Sequence, residues 1–131
     1  MSDIEGILIG FRRVAVVGLS PKAYRPSYGV ASYLKDQGFE VMPVNPSAIE
    51  IMGLKSYPDL RSIPGPVEIV DIFRRSEDVG SIVEDAIAIG AKAVWMQDGV
   101  VNEQAAKKAR EAGLKVVMNE CMMREHHRLN A

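Results

Sequence analysis

Val14-Ala15-Val16-Val17-Gly18-Leu19-Ser20-Pro21-Lys22-Ala23-Tyr24-Arg25-Pro26-Ser27-Tyr28-Gly29 is the stretch that decides the fold. Its first four residues are apolar and mostly β-branched, the composition of a strand covered on both faces. Gly18 lets the backbone turn, and a polar, cationic loop follows. Pro26 then opens a helical pattern over 27–37, with Val30, Ala31 and Leu34 at helical spacing and Gly38 as its stop. Strand, loop, helix and glycine stop together make the first half of a βαβ unit.

The same rhythm repeats down the chain. Strand-like runs recur at Val41-Met42-Pro43-Val44, Val67-Glu68-Ile69-Val70-Asp71-Ile72, Ala93-Val94-Trp95-Met96 and Val116-Val117-Met118. Helical patterns fill 77–89, stopped by Gly90, and 102–112, which opens on an Asn N-cap and stops at Gly113. A short helix is expected over 3–11, ahead of the first strand. The stretch 47–66 is the least regular, with Pro58, Pro64, Gly65 and Pro66 and a one-turn helix expected around 59–62. Alternating strands and helices predict an α/β, Rossmann-like doubly wound parallel sheet of five strands, with helices on both faces. The expected strand order is 3-2-1-4-5, and residues 1–131 are read as one domain.

Composition sets the outer limits. The chain has 131 residues, of which 47% are hydrophobic and 25% charged, with a formal net charge of −1. That balance argues against a nucleic-acid partner, which favours a basic surplus. Cys121 is the only cysteine, so no intrachain disulfide forms. The first residues lack the basic and apolar regions of a signal peptide, and no apolar run approaches the roughly 20 residues that span a bilayer. The expectation is a cytoplasmic protein with no membrane partner. Met122 and Met123, near a terminal helix, would suit a contact between copies in a homo-oligomer.

In a doubly wound sheet, ligands sit beyond the carboxyl ends of the strands, so the loops there carry the function. The first holds Gly18, Ser20, Lys22, Arg25 and Ser27. Cations beside a helix start favour an anion, phosphate above all. The dinucleotide fingerprint G-x-G-x-x-G is broken, because Ser20 and Ala23 stand at its second and third glycine positions. After the second strand come Asn45 and Pro46, where an NAD domain would usually place an acid. Phe73 and Arg74 end the third strand, positioned to stack on a base and meet a phosphate or the ribose edge. Gln97 and Gly99 follow the fourth. Cys121 lies beyond the fifth, with Glu125, His126 and His127 further on. A catalytic thiol would need a histidine beside Cys121, which spacing alone does not supply. Metal binding lacks the usual Cys and His spacings.

These residues resemble one family nearly throughout. Gly-Leu-Ser-Pro-Lys (18–22), Arg-Pro-Ser-Tyr (25–28), Pro-Val-Asn-Pro (43–46), Val-Asp-Ile-Phe-Arg (70–74), Val-Trp-Met-Gln (94–97), the segment 99–106 and Cys121 carry the likeness. It is to the small stand-alone CoA-binding domain proteins of bacteria and archaea, whose fold is similar to the N-terminal CoA-binding domain of the succinyl-CoA synthetase alpha subunit. The resemblance implies coenzyme A, or an acyl-CoA, across the carboxyl ends of the strands. Gly18, Ser20, Lys22 and Arg25 would hold phosphates, and Asn45 and Pro46 would line the adenosine side near Phe73 and Arg74. Ser27 opens the helix beneath, and Gln97 and Gly99 would face the pantetheine arm. Two departures stand out: Asn119-Glu120-Cys121-Met122 replaces the Asp-Arg-Cys-Pro of many members, and Ser47 and Ala48 stand where the synthetase has lysines. The synthetase's phosphorylated histidine belongs to a second domain, so binding without catalysis is expected. The alternative is a dinucleotide-dependent enzyme or one that uses Cys121.

Overall fold

The structure is a computed structural model that describes residues 3–130. Five parallel strands form the main sheet: β1 (Arg13–Val17), β2 (Glu40–Val44), β5 (Ile69–Ile72), β6 (Ala93–Met96) and β7 (Lys115–Val117). A two-stranded hairpin, β3 (Glu50–Ile51) and β4 (Leu54–Lys55), lies between β2 and β5. The helices are α1 (Asp3–Gly10), α2 (Pro26–Asp36), α3 (Val79–Ala88), α4 (Glu103–Glu111) and α5 (Met122–Leu129).

Period-two alternation explains the layers. Ala15, Val17, Met42, Val44, Val70, Ile72, Val94, Met96 and Val116 point to one face and pack against α3 and α4. Val14, Val16, Val41, Ile69, Ala93, Trp95 and Val117 point to the other, beneath α1, α2 and α5. Both faces are apolar, so both must be covered. A Rossmann-like doubly wound sheet is the result.

The strand order corrects one expectation. Counting only the parallel strands along the chain, the order is 2-1-3-4-5 and not 3-2-1-4-5: β5 lies between β1 and β6, and β2 is an edge. Pro43 gives the reason. Its backbone faces away from β1, where its carbonyl accepts from Tyr57 N–H at 2.9 Å. An interior strand would need an N–H at that position, which proline lacks. β5, buried at every position, takes the interior place instead.

The remaining chain ends have visible causes. Glu68 accepts from the backbone N–H groups of Arg12 and Arg13, both at 2.9 Å, and so ties the start of β5 to that of β1. Those two bonds hold its carboxyl below the usual range. The hairpin turns on Met52 and Gly53, both at positive φ, the pairing a type I′ turn requires. At the far edge, the Asp3 carboxylate accepts from Val116 N–H on β7 at 3.3 Å. Met122 is fully buried in the chain's own core, so it is not available for the expected contact between copies. Among the described residues, no helix is long and apolar enough to cross a membrane.

Candidate functional site

In the order 2-1-3-4-5 the strand sequence reverses between β1 and β5, and the ligand crevice of such a sheet opens there. A cleft of about 780 Å3 lies at this place, within the usual range for small-molecule sites. The loops after β1, β5 and β6 line it, and Cys121 closes one side.

The loop after β1 is wound on itself. Gly18 stands at φ 87°, and a Cβ there would come within 2.3 Å of the Phe73 carbonyl, so the two loops approach as closely as backbone allows. Ser27 Oγ accepts from Ser20 N–H at 3.0 Å, and Ser20 Oγ accepts from Lys22 N–H at 3.1 Å. Arg25 N–H reaches back to Lys22 O. These three bonds hold the loop from within, while the Lys22 and Arg25 side chains stay exposed on the cleft rim. Arg25 stacks over the Tyr24 ring, and neither cation enters an ion pair among the described residues. Arg25 is also the N-cap of α2: Pro26 carries no N–H, Tyr28 N–H bonds to Arg25 O at 3.1 Å, and Ser27 N–H opens the helix without a helical acceptor. Free positive charge and a helix start coincide.

Across the cleft, Arg74 and Arg75 share Asp78 at 3.4 Å each, a loose arrangement. Asp98 is the acid on the rim, and Arg124 holds both of its oxygens, at 2.8 and 3.0 Å. The cleft therefore keeps a positive balance.

Of the residues singled out in the sequence, Gly18, Ser20, Lys22, Arg25, Ser27, Phe73, Arg74, Gln97 and Gly99 meet around this one cleft. Asn45 does not. Its amide donates to Leu19 O at 3.0 Å and accepts from Ser47 N–H at 2.8 Å, which makes it a brace for the first loop. Pro46 lines a smaller hollow of about 130 Å3 that shares Arg74 with the main cleft. Both follow β2, an edge strand lying on the other side of β1 from β5, which is why they stand apart. Gly99 lines the cleft, but its N–H is taken by Asn119 Oδ1 at 2.7 Å.

Cys121 lines the cleft and precedes α5. His126 is engaged elsewhere: its Nδ1 lies 2.9 Å from the Tyr33 hydroxyl, and its ring packs edge-on against Phe39. Burial first, then the charges of Arg12 and His127, hold the His126 pKa down. Among the described residues no three metal-ligating side chains converge.

One residue escaped the sequence reading. Asp71, in the middle of β5, is fully buried, and its Oδ1 accepts from Gln97 Nε2 at 2.6 Å. Its Oδ2 has no partner. The signal was an acid flanked by Ile69, Val70 and Ile72, the apolar part of its strand run.

A parallel sheet wound in both directions, with its crevice at the reversal and a cationic loop over that crevice, defines a Rossmann-like α/β domain. Comparison with known proteins makes this specific: the chain belongs to the CoA binding domain family, which matches residues 12–127. It is 39% identical over 125 residues to the uncharacterized protein YneT of Bacillus subtilis, covering 95% of this chain and 93% of that one. It is 29% identical to the acetate–CoA ligase (ADP-forming) II subunit alpha of Pyrococcus furiosus, over 92% of this chain but only 29% of the ligase subunit. Among solved structures, a hypothetical protein from Pyrococcus horikoshii superposes with a TM-score of 0.96 at 45% identity, covering 100% of this chain and 94% of that one. The apo acetyl-coenzyme A synthetase 1 of Candidatus Korarchaeum cryptofilum gives 0.72 at 26% identity, over 82% of this chain and 26% of the synthetase.

Proposed function

We propose that this chain binds coenzyme A or an acyl-CoA in the cleft between the β1 and β5 loops, and that it acts as a binding unit without turnover of its own. The observation that carries the reading is the pair of uncommitted cations, Lys22 and Arg25, at the start of α2 on the cleft rim. Coenzyme A brings a pyrophosphate and a 3′-phosphate, the latter worth about −1.5 to −2 charges at neutral pH. Lys22, Arg25 and Arg74 offset such a ligand, and Gly18 allows it to approach the backbone. Membership of the CoA binding domain family supports the same reading, as do relatives named as CoA ligases. Cys121 faces the cleft without His126 to activate it, which favours binding over thiol chemistry. Asn45 and Pro46 act in this reading from behind, one bracing the phosphate loop and the other lining the hollow beside Arg74.

Calorimetric titration with coenzyme A, NAD and NADP tests it. The expected result is saturable heat with coenzyme A. Each of Lys22→Ala and Arg25→Ala should weaken it roughly tenfold, the scale of one charge-assisted hydrogen bond. Tight NAD or NADP binding without a coenzyme A signal overturns the proposal, and so does coenzyme A binding that ignores the double variant.

A further inference from the structure

Asp71 is expensive where it stands. It is buried completely in the central strand, its register neighbours Val16 and Trp95 are apolar, and one of its oxygens has no partner. An ionised carboxylate in such a place loses its hydration and regains one hydrogen bond, a poor exchange. Asparagine or an aliphatic side chain would fit the strand at lower cost. The one polar group that Asp71 touches is Gln97, itself only 3% exposed and part of the cleft wall.

We propose that Asp71 is a positioning residue: by taking the Gln97 amide nitrogen it turns the amide oxygen toward the cleft, so that this wall accepts a hydrogen bond and selects a ligand arm bearing an N–H donor. The chemistry fixes the polarity. An ionised carboxylate only accepts, so the Gln97 NH2 must face it and the oxygen is the end left over. No group of the chain bonds to that oxygen among the described residues. The arm that fits is one with secondary amides, as in pantetheine, so the inference rests on the coenzyme A reading of the cleft.

Protonation of Asp71 reverses the arrangement. A neutral carboxyl can donate its O–H to the Gln97 oxygen, and the amide then presents NH2 to the ligand. Burial, opposed by the Gln97 bond, pushes the Asp71 pKa up to about 7, so both states are accessible. Charged groups on the surrounding elements are engaged elsewhere. On α5, Arg124 holds Asp98 and Glu120, Glu125 is held by Arg124 and Arg128, and His126 meets Tyr33 of α2. On α1, Asp3 holds Val116 N–H, and Arg13 of β1 pairs with Glu40. Tyr28, Lys35 and Asp36 on α2, Glu5 on α1, His127 on α5, Lys115 on β7, Arg12 ahead of β1 and Cys121 are the other titratable groups on that side, and none of these bonds to Asp71.

The test compares coenzyme A with adenosine 3′,5′-bisphosphate, which keeps the nucleotide and lacks the arm. Asp71→Asn, nearly the same shape and uncharged, should weaken coenzyme A roughly two- to tenfold, the scale of one neutral hydrogen bond, and leave the bisphosphate unchanged. Gln97→Met should do the same, and the double variant should be no worse than Gln97→Met alone. Below neutrality the wild type should lose coenzyme A affinity more steeply than Asp71→Asn, because the ligand's own phosphate titrations are common to both proteins. Equal losses for the two ligands, additive losses in the double variant, or matching pH profiles in wild type and variant overturn the inference. If the wild type binds both ligands but with equal affinity, the arm is not held, and the inference fails while the nucleotide site stands. If the wild type binds neither, the coenzyme A reading itself falls and takes this one with it.

Discussion

At Gly18 the main chain of one loop lies against the main chain of another, and no side chain fits between them. A methyl group there would meet the Phe73 carbonyl at 2.3 Å and the Arg74 Cδ at 2.9 Å, with φ at 87°. Backbone cannot yield as a flexible side chain can. Gly18→Ala should therefore cost about 2–4 kcal/mol, combining overpacking with a left-handed alanine. Urea denaturation checks this through a lower midpoint at unchanged slope. Asn45 carries a different lesson at the same scale. Its position after β2 was readable from the sequence, but the direction of its amide was not. Spacing tells which loop a residue occupies and is silent on whether it faces a ligand or its own backbone. Asp71 was open to notice on chemistry alone, since a strand apolar on both faces has no solvent side for a carboxylate to use.

Among the elements, α4 depends most on its ends. Its buried face consists of Ala105, Ala106 and Ala109, which bury little area. Asn102 caps it, accepting from Ala105 N–H at 2.9 Å, and its amide also donates to Ser76 O at 3.0 Å beside α3. Asn102→Ala should lower stability by about 1 kcal/mol, with early hydrogen exchange in the first turn of α4 as the local sign. This cap was legible, as were the five strands and the helix stops, because long periodic runs and paired end signals reinforce one another. The hairpin was not. Strands of two residues show no alternation, and Gly53 alone does not specify a turn. The order of strands failed for a related reason: the link between β2 and β5 contains no α-helix, and Pro43, which marks an edge strand, counts only when its pairing side is asked about.

For the molecule as a whole, Asp71 should shape the pH dependence of stability. Its folded-state pKa, about 7, lies above that of an unfolded carboxylate, so the folded chain holds the proton more tightly. Stability attributable to this group is full below the unfolded value, declines as pH rises toward 7, and is level above it. Asp71→Asn should remove that decline and make the neutral protein more stable, as thermal unfolding over a pH series would record. The same central placement links fold and site, since a carboxylate in the middle strand bonds to the cleft wall.

Both margins of the sheet are already engaged at the backbone. Tyr57 occupies the Pro43 carbonyl and Asn45 N–H beside β2, while the Asp3 carboxylate occupies Val116 N–H on β7. An approaching chain would meet Tyr57 beside β2 and Asp3 beside β7 before it could extend the ladder at those positions. Groups engaged in this way leave fewer open positions at which a further strand could add to the sheet.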